Sequence, residues 1–426
     1  MNYAETVDYL YHAAPMFSNI GAGAYKEGLS TTMALDIHFI HPHQKFRTIH
    51  VAGTNGKGSV SSTLAAILQS AGLRVGLYTS PHLVDFRERI RVNGEMISED
   101  RVVRFVERER AFFEPLSPSF FELTTALAFK YFEEEQVDVA VVEVGLGGRL
   151  DCTNIIRPDL AVITNISFDH QQFLGDTLPL IAGEKAGIIK TGVPVVVGET
   201  NGHPDVREVF AARAKAKGCI IRFADEEQFP QVECQLKGDY QQANMQTVQC
   251  AVDELRKQRS YRDLLTDEVV AHGLLHVMEL TGLQGRWQQL RECPTLVCDA
   301  GHNAAGISYV VRQLSEQPNS HLRIVFGMVN DKDYQFAVSA LEALKDRATY
   351  YFTQPSCHRA LPADSLAAPF IGKGIPVRTF LTVQAAVSAA LSDASPSDFI
   401  FVGGSCYVVA DLLTDWDTIN HLSRTK

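Results

Sequence analysis

The stretch V-D-V-A-V-V, from Val137 to Val142, is an almost unbroken apolar run. A strand with one wet face alternates apolar and polar residues. A run without that alternation suits a strand buried on both faces, and such strands belong to parallel sheets covered by helices on each side. Comparable segments stand at Phe46–Val51, Arg74–Tyr78, Asp159–Ile166 and Pro194–Gly198, and Ser59–Ala71 has a helical pattern. Ser98-Glu-Asp opens an acidic-capped helix reaching Arg110. The alternation restarts with strands at Thr295–Cys298, Leu322–Phe326, Thr349–Phe352 and Phe399–Val402, and helices at Ala304–Leu314 and Ala385–Leu391. Alternation of this kind predicts an α/β fold, here in two parts.

Between the first strand and its helix the chain reads G-T-N-G-K-G-S, from Gly53 to Ser59. Gly53, Gly56 and Gly58 let the backbone turn its amides inward. Those amides and the positive helix end attract anionic oxygens, and Lys57 would reach the β- and γ-phosphates. The strict phosphate-loop spacing G-x-x-x-x-G-K-[ST] fails, because Val51 stands five before Gly56 and Gly58 follows Lys57. The alternative is a tight strand-to-helix turn with a surface lysine. The expected fold is a P-loop-containing, mostly parallel sheet domain over residues 1–290, then a smaller Rossmann-like α/β domain over 294–426. The boundary is expected near Trp287–Pro294.

Glu143 ends the Val137–Val142 run, where open α/β sheets bind ligands, and it is either a Mg²⁺ ligand or a solvent-facing acid. Gly145-Leu-Gly-Gly148 suggests close backbone packing. His170 ends T-N-I-S-F-D-H, and a lone histidine there is more often structural. His38, His41 and His43 lack metal spacing and read as surface or packing residues. The net charge of -11 argues against a nucleic-acid binder. The N-terminus, MNYAETVDYL, has acids and no apolar centre, so no secretory signal is expected. No apolar run is long enough for a membrane span. Eight scattered cysteines without a C-x-x-C pair read as the reduced, mostly buried thiols of a cytoplasmic protein; a monomer is expected separately.

Several longer blocks accompany the loop: YTSPHLVDFRERIRVNGEMI (78–97), VEVGLGGRLDCTNI (142–155), SFDHQQFLG, GEKAGIIK, GDYQQANM, Gly285-Arg286, CDAGHN, GMVNDKDY and GGSCYVV. In type and order they resemble the folylpolyglutamate synthase/dihydrofolate synthase family of the Mur ligase superfamily. The resemblance implies an ATP-dependent amide ligase, in which a substrate carboxylate is phosphorylated by ATP and the acyl phosphate is attacked by the amino group of L-glutamate. The acceptor would be dihydropteroate or a reduced folate; folylpolyglutamate synthesis alone is the narrower alternative.

Residue by residue, the resemblance implies these roles. Thr54, Asn55, Gly56, Lys57, Gly58 and Ser59 would hold the triphosphate. Ser80, Glu143 and His170 would ligate Mg²⁺, with two ions used. Lys185 would carry a carbamate that binds the second ion. Asn244, Arg286, Asp299 and His302 would contact ATP. The pterin-bearing substrate would lie beside Pro81, Phe120, Phe121, Glu122, Leu150, Asp151 and Cys152, although adjacent phenylalanines more often fill a core. The site would lie in a cleft between the two domains. Cys152, Ala304 and Gln241 depart from the common alanine, proline and histidine of the family. The intact GGRLD block looks more like the bifunctional enzymes. A peptidoglycan-type ligase would need an N-terminal domain for a UDP group, and only about 45 residues precede the loop. An inactive binder is disfavoured by the intact Lys57, Glu143, His170 and Lys185, and an ordinary P-loop kinase by the altered spacing.

Overall fold

The computed structural model describes residues 1–13, 28–200, 202–318, 321–330, 332 and 334–424. Asp331 and Asp333 of the GMVNDKDY block lie outside these. The chain divides into two compact units. The first comprises Met1–Gln235 and Gln241–Leu283, the second Leu236–Tyr240 and Gln284–Lys426.

The first unit is built on an eight-stranded sheet, ordered β4-β3-β2-β5-β1-β6-β7-β8. Its strands are β1 (Arg47–Ala52), β2 (Val75–Tyr78), β3 (Ile90–Val92), β4 (Glu95–Met96), β5 (Val139–Glu143), β6 (Leu160–Asn165), β7 (Val195–Glu199) and β8 (Ile221–Phe223). All pairings are parallel except β2–β3 and β3–β4. Every residue of β5 is buried, as its unbroken apolar run requires. β1 lies between β5 and β6, with Val51 opposite both Glu143 and Val162. Helix Lys57–Ser70 leaves β1 and is buried continuously from Ser59 to Leu68. That burial explains its small residues. Gly273 of helix Asp267–Leu275 comes so close that an added Cβ would stand 2.5 Å from the Ile67 Cα.

The second unit holds a six-stranded sheet, ordered β13-β12-β11-β14-β10-β9. These are β9 (Gln288–Glu292), β10 (Thr295–Asp299), β11 (Leu322–Phe326), β12 (Ala348–Thr353), β13 (Val377–Phe380) and β14 (Phe399–Gly403). Only β9 runs antiparallel to its neighbour. β9 pairs with β10, and the longer stretch of the second unit starts at Gln284.

Expected strands and helices are present with ends moved by at most three residues. The short segments β3, β4, β8, β9 and β13 were not expected, and none of β8, β9 or β13 has a fully buried residue. The cysteines are all free, but only Cys234, Cys250 and Cys298 are buried, which corrects the mostly buried expectation. His41 and His43 both point Nδ1 at the Asp36 carboxylate, at 2.6 and 2.7 Å, and His38 stacks on Phe112, so all three are packing residues. Among the described residues no helix is long and apolar enough to cross a membrane.

Candidate active site

The loop after β1 is held in a fixed shape by the end of β6. Thr54 N–H donates to the Asn165 carbonyl at 3.0 Å, and Asn55 N–H to Asn165 Oδ1 at 2.9 Å. Thr54 Oγ1 donates to the Ser167 carbonyl and accepts from Ser167 N–H, each at 3.1 Å. Thr164 Oγ1 donates to the Asn55 carbonyl at 2.5 Å. Gly53 (φ +149) leaves no room for a side chain, since a Cβ would lie 1.9 Å from Thr164 Oγ1. Thr164, Asn165 and Ser167 were not expected as site residues. Their signal was present: an apolar strand running into T-N-I-S, four residues rich in donors and acceptors beside the glycine loop.

Gly56 (φ +82) is the left-handed cap of helix Lys57–Ser70. Asn244 sits over it, 5% exposed. Asn244 Nδ2 donates to Gln241 Oε1 at 2.8 Å, and Gln241 Nε2 to Ser59 Oγ at 3.1 Å. Ser59 is thus 1% exposed with its hydroxyl against Gln241, inside the framework of the loop instead of on its surface. The less common Gln241 therefore has a defined task.

Two lysines converge on one oxygen. Lys57 Nζ donates to the carbonyls of Gly53 and Thr54, at 3.2 and 3.0 Å. Lys185 Nζ donates to the same Gly53 carbonyl at 2.7 Å. Lys185 ends helix Leu178–Lys185 and is 4% exposed. Burial and the neighbouring Lys57 charge push its amine down to about 7, against the opposing pull of Asp169 and Asp151. Glu143 ends β5, 2% exposed, and accepts Ser80 N–H at 3.2 Å. His170 follows β6 in a left-handed backbone conformation (φ 50), with Nε2 3.8 Å from Asp169 Oδ1. Among the described residues no three His, Cys, Asp or Glu side chains stand at metal-holding spacing. The candidate set is one carboxylate, one imidazole and the Ser80 hydroxyl.

The expected substrate residues divide. Asp151 accepts the N–H groups of Gly145, Leu146 and Thr153 at 2.9–3.0 Å, and the Thr153 hydroxyl as well. It staples the glycine-rich loop, and burial raises its carboxyl. Glu122 is a helix cap, accepting Ser119 N–H at 2.7 Å, with Thr32 Oγ1 3.3 Å from its other oxygen. Phe120 is 3% exposed among Tyr11, Phe86 and Arg89, so it belongs to the core and is not a stacking surface. Phe121, Leu150 and Cys152 remain partly exposed, and Pro81 is exposed after a cis Ser80–Pro81 bond. Phe121 lies on the Gly145 backbone, where a Cβ would meet its ring at 2.4 Å.

In the second unit, Asp299 is 3% exposed and accepts Tyr240 Oη at 2.6 Å, Trp287 N–H at 2.7 Å and Gly301 N–H at 2.8 Å. These bonds fix the turn carrying Arg286, and His302 Nδ1 lies 3.0 Å from the Ala300 carbonyl.

Over residues 51–255 the chain matches the Mur ligase middle domain, and over 285–406 the Mur ligase glutamate ligase domain. It is 36% identical to the folylpolyglutamate synthase of Lacticaseibacillus casei, over 96% of this chain and 97% of that one. The chain belongs to the folylpolyglutamate synthase/dihydrofolate synthase family of Mur ligases. The dihydrofolate synthase/folylpolyglutamate synthase of Escherichia coli K12 is a 33% identical relative, with 85% of each chain covered. Among solved structures, E. coli FolC in complex with DHPP and ADP is similar at TM-score 0.84 and 29% identity, covering 99% of both chains. A bifunctional folylpolyglutamate synthase/dihydrofolate synthase with Mn, AMPPNP and L-glutamate bound is similar at TM-score 0.83 and 30% identity, covering 98% of both.

Proposed function

We propose that this ATP-dependent glutamate ligase acts on both dihydropteroate and reduced folates, with the residues at the ends of β1, β5 and β6 as its phosphoryl-transfer site. The observation that carries the site assignment is the convergence of Lys57 and Lys185 on the Gly53 carbonyl. The Lys57 ammonium and the Lys185 amine, whose charge burial weakens, meet at one neutral oxygen beside the glycine loop, and Lys57 there offers counter-charge to a multiply charged anion. A carboxylate resists attack by an amine because its charge repels electrons and oxide leaves poorly; a phosphoryl group removes both obstacles.

The chain's own groups divide the work. Thr54, Asn55, Gly56 and Gly58 present loop amides to the phosphates at a helix start. Lys57 swings from its loop carbonyls to the terminal phosphate and offsets charge there. Ser80, Glu143 and His170 would hold Mg²⁺. A carboxylate and a hydroxyl are oxygen donors of the kind a hard divalent cation takes, with the His170 imidazole beside them. The ion supplies charge neutralisation during transfer. Lys185, with its amine near neutrality, is disposed to take up CO₂ as a carbamate and serve a second ion. Asn244, Arg286 and His302 would contact the nucleotide, with Asp299 positioning Arg286. Pro81, Phe121, Leu150 and Cys152 would border the pterin-bearing substrate, with Asp151 and Glu122 framing them. GGRLD supports dual activity, and the free cysteines support a reducing compartment.

The test is phosphate release from purified protein with MgATP and L-glutamate, offered dihydropteroate and tetrahydrofolate separately. Release with both is expected. Release with tetrahydrofolate alone would reduce the activity to folylpolyglutamate synthesis.

A further inference from the structure

The segment after β2, from Thr79 to Arg89, carries Ser80 and Pro81, and it is fastened twice to the N-terminal helix Tyr3–Ala13. At the first point Tyr3 Oη donates to Asp85 Oδ1 at 2.6 Å, and the Arg87 guanidinium lies 5.3 Å from the Tyr3 ring centroid. At the second, Arg89 Nε donates to His82 Nδ1 at 2.7 Å, and His82 Nε2 meets Tyr11 Oη at 3.2 Å.

The directions of the second pair of bonds follow from chemistry. Arginine keeps its protons, so His82 Nδ1 must be the accepting nitrogen. The ring proton is then on Nε2 and is donated to Tyr11. The relay therefore runs Arg89 → His82 → Tyr11. Packing supports it: the Tyr11 ring lies 5.4 Å from Phe120, and the Arg89 guanidinium lies 5.2 Å from the same ring. Glu88 accepts the N–H groups of Leu83, Val84 and Asp85 at 2.8–2.9 Å, so the loop between the fastenings is closed on itself.

We propose that Tyr11, His82 and Arg89 are positioning residues that hold the Pro81–Val84 wall at the height the pterin-bearing substrate requires. The N-terminal helix thereby sets affinity for that substrate. This rests on the reading that Pro81 borders it. Ser80 is held by bonds that involve neither Tyr11 nor His82, through its N–H on Glu143 and through Thr79 N–H on the backbone carbonyl of Arg89 at 3.0 Å. A change at Tyr11 should therefore reach acceptor binding and leave the phosphate end in place.

The experiment compares Tyr11→Phe, which keeps the ring and removes the hydroxyl, with Tyr9→Phe on the same helix. Tyr9 Oη donates to Glu114, away from the loop, at 2.9 Å. Steady-state phosphate release is followed with dihydropteroate and with tetrahydrofolate, beside thermal melting. Tyr11→Phe should raise KM for the acceptor about fivefold, the scale of one lost hydrogen bond, with kcat and the KM for ATP within about twofold. Tyr9→Phe should leave all three unchanged. An unchanged acceptor KM in Tyr11→Phe overturns the proposal, as does an equal rise in Tyr9→Phe or in the KM for ATP. Wild-type protein that releases phosphate with neither acceptor refutes the underlying reading, and the proposal falls with it.

Discussion

Replacing Gly56 with alanine tests the geometry of the phosphate loop directly. The residue has φ +82, and an added Cβ would lie 2.2 Å from Asn244 Oδ1. The left-handed conformation costs alanine about 1–2 kcal/mol. The overlap adds about 1–3 kcal/mol, typical of overpacking. Asn244 cannot retreat freely, because it is bonded to Gln241, and Gln241 to Ser59. A total of roughly 2–5 kcal/mol in a unit this large lowers Tm by about 4–10 °C. In an Asn244→Ala background the overlap vanishes and only the φ term remains. Scanning calorimetry of wild type, both single variants and the double variant should therefore show a non-additive cycle, with coupling of about 1–3 kcal/mol. The KM for ATP of Gly56→Ala should also rise, by about tenfold or more, as the amides move off the phosphates. A Gly56→Ala protein that melts with wild type, or a cycle that is additive within about 0.5 kcal/mol, would show that this contact does not shape the loop.

Lys57→Ala should lower phosphate release by a factor on the order of 10²–10³ with Tm nearly unchanged; unaltered release would remove Lys57 from the chemistry. Lys185, with its amine lowered to about 7, is mostly protonated at pH 6 and mostly neutral at pH 8. After CO₂ stripping, the rate of recovery per unit of dissolved CO₂ should rise about tenfold across that interval, and recovery independent of CO₂ would contradict carbamate formation. The same shift has a stability sign. Between about 7 and the ordinary lysine value the unfolded chain holds a proton that the folded chain lacks, so rising pH through that window stabilises the fold, and the gain is lost below it. Burial pushes the Cys152 thiol well above its usual value, leaving it neutral and a poor nucleophile, so Cys152→Ala should keep kcat within about twofold in the phosphate assay. A loss above tenfold would mean that the thiol acts chemically.

The parallel core was legible because β5 up to Val142 and β6 up to Ile163 are apolar without interruption, and only double-sided burial rewards that pattern. The edge segments β4, β8 and β13 were not, since two to four half-exposed residues carry no period. Local chemistry could also be read: Ser119 and Glu122 stand at capping-box spacing, which points to a helix start before it points to a substrate. Lys185 shows the limit. By sequence it is a cation at the end of a short helix. Its defining contact is with Gly53, 132 residues earlier, and no local pattern encodes a meeting at that distance.

β1 is the fifth strand from one margin of its sheet and the fourth from the other, with hydrogen-bonded neighbours on both flanks. Opening it to solvent requires unzipping the unit from an edge, so its amides should exchange hydrogen only through near-global unfolding, whereas those of β4 and β8 exchange through fraying. The anion-gripping turn thus hangs from an interior strand of its sheet, far from either fraying margin. Sequence drift, insertions and truncations at the sheet margins can accumulate while the nucleotide cradle keeps its shape.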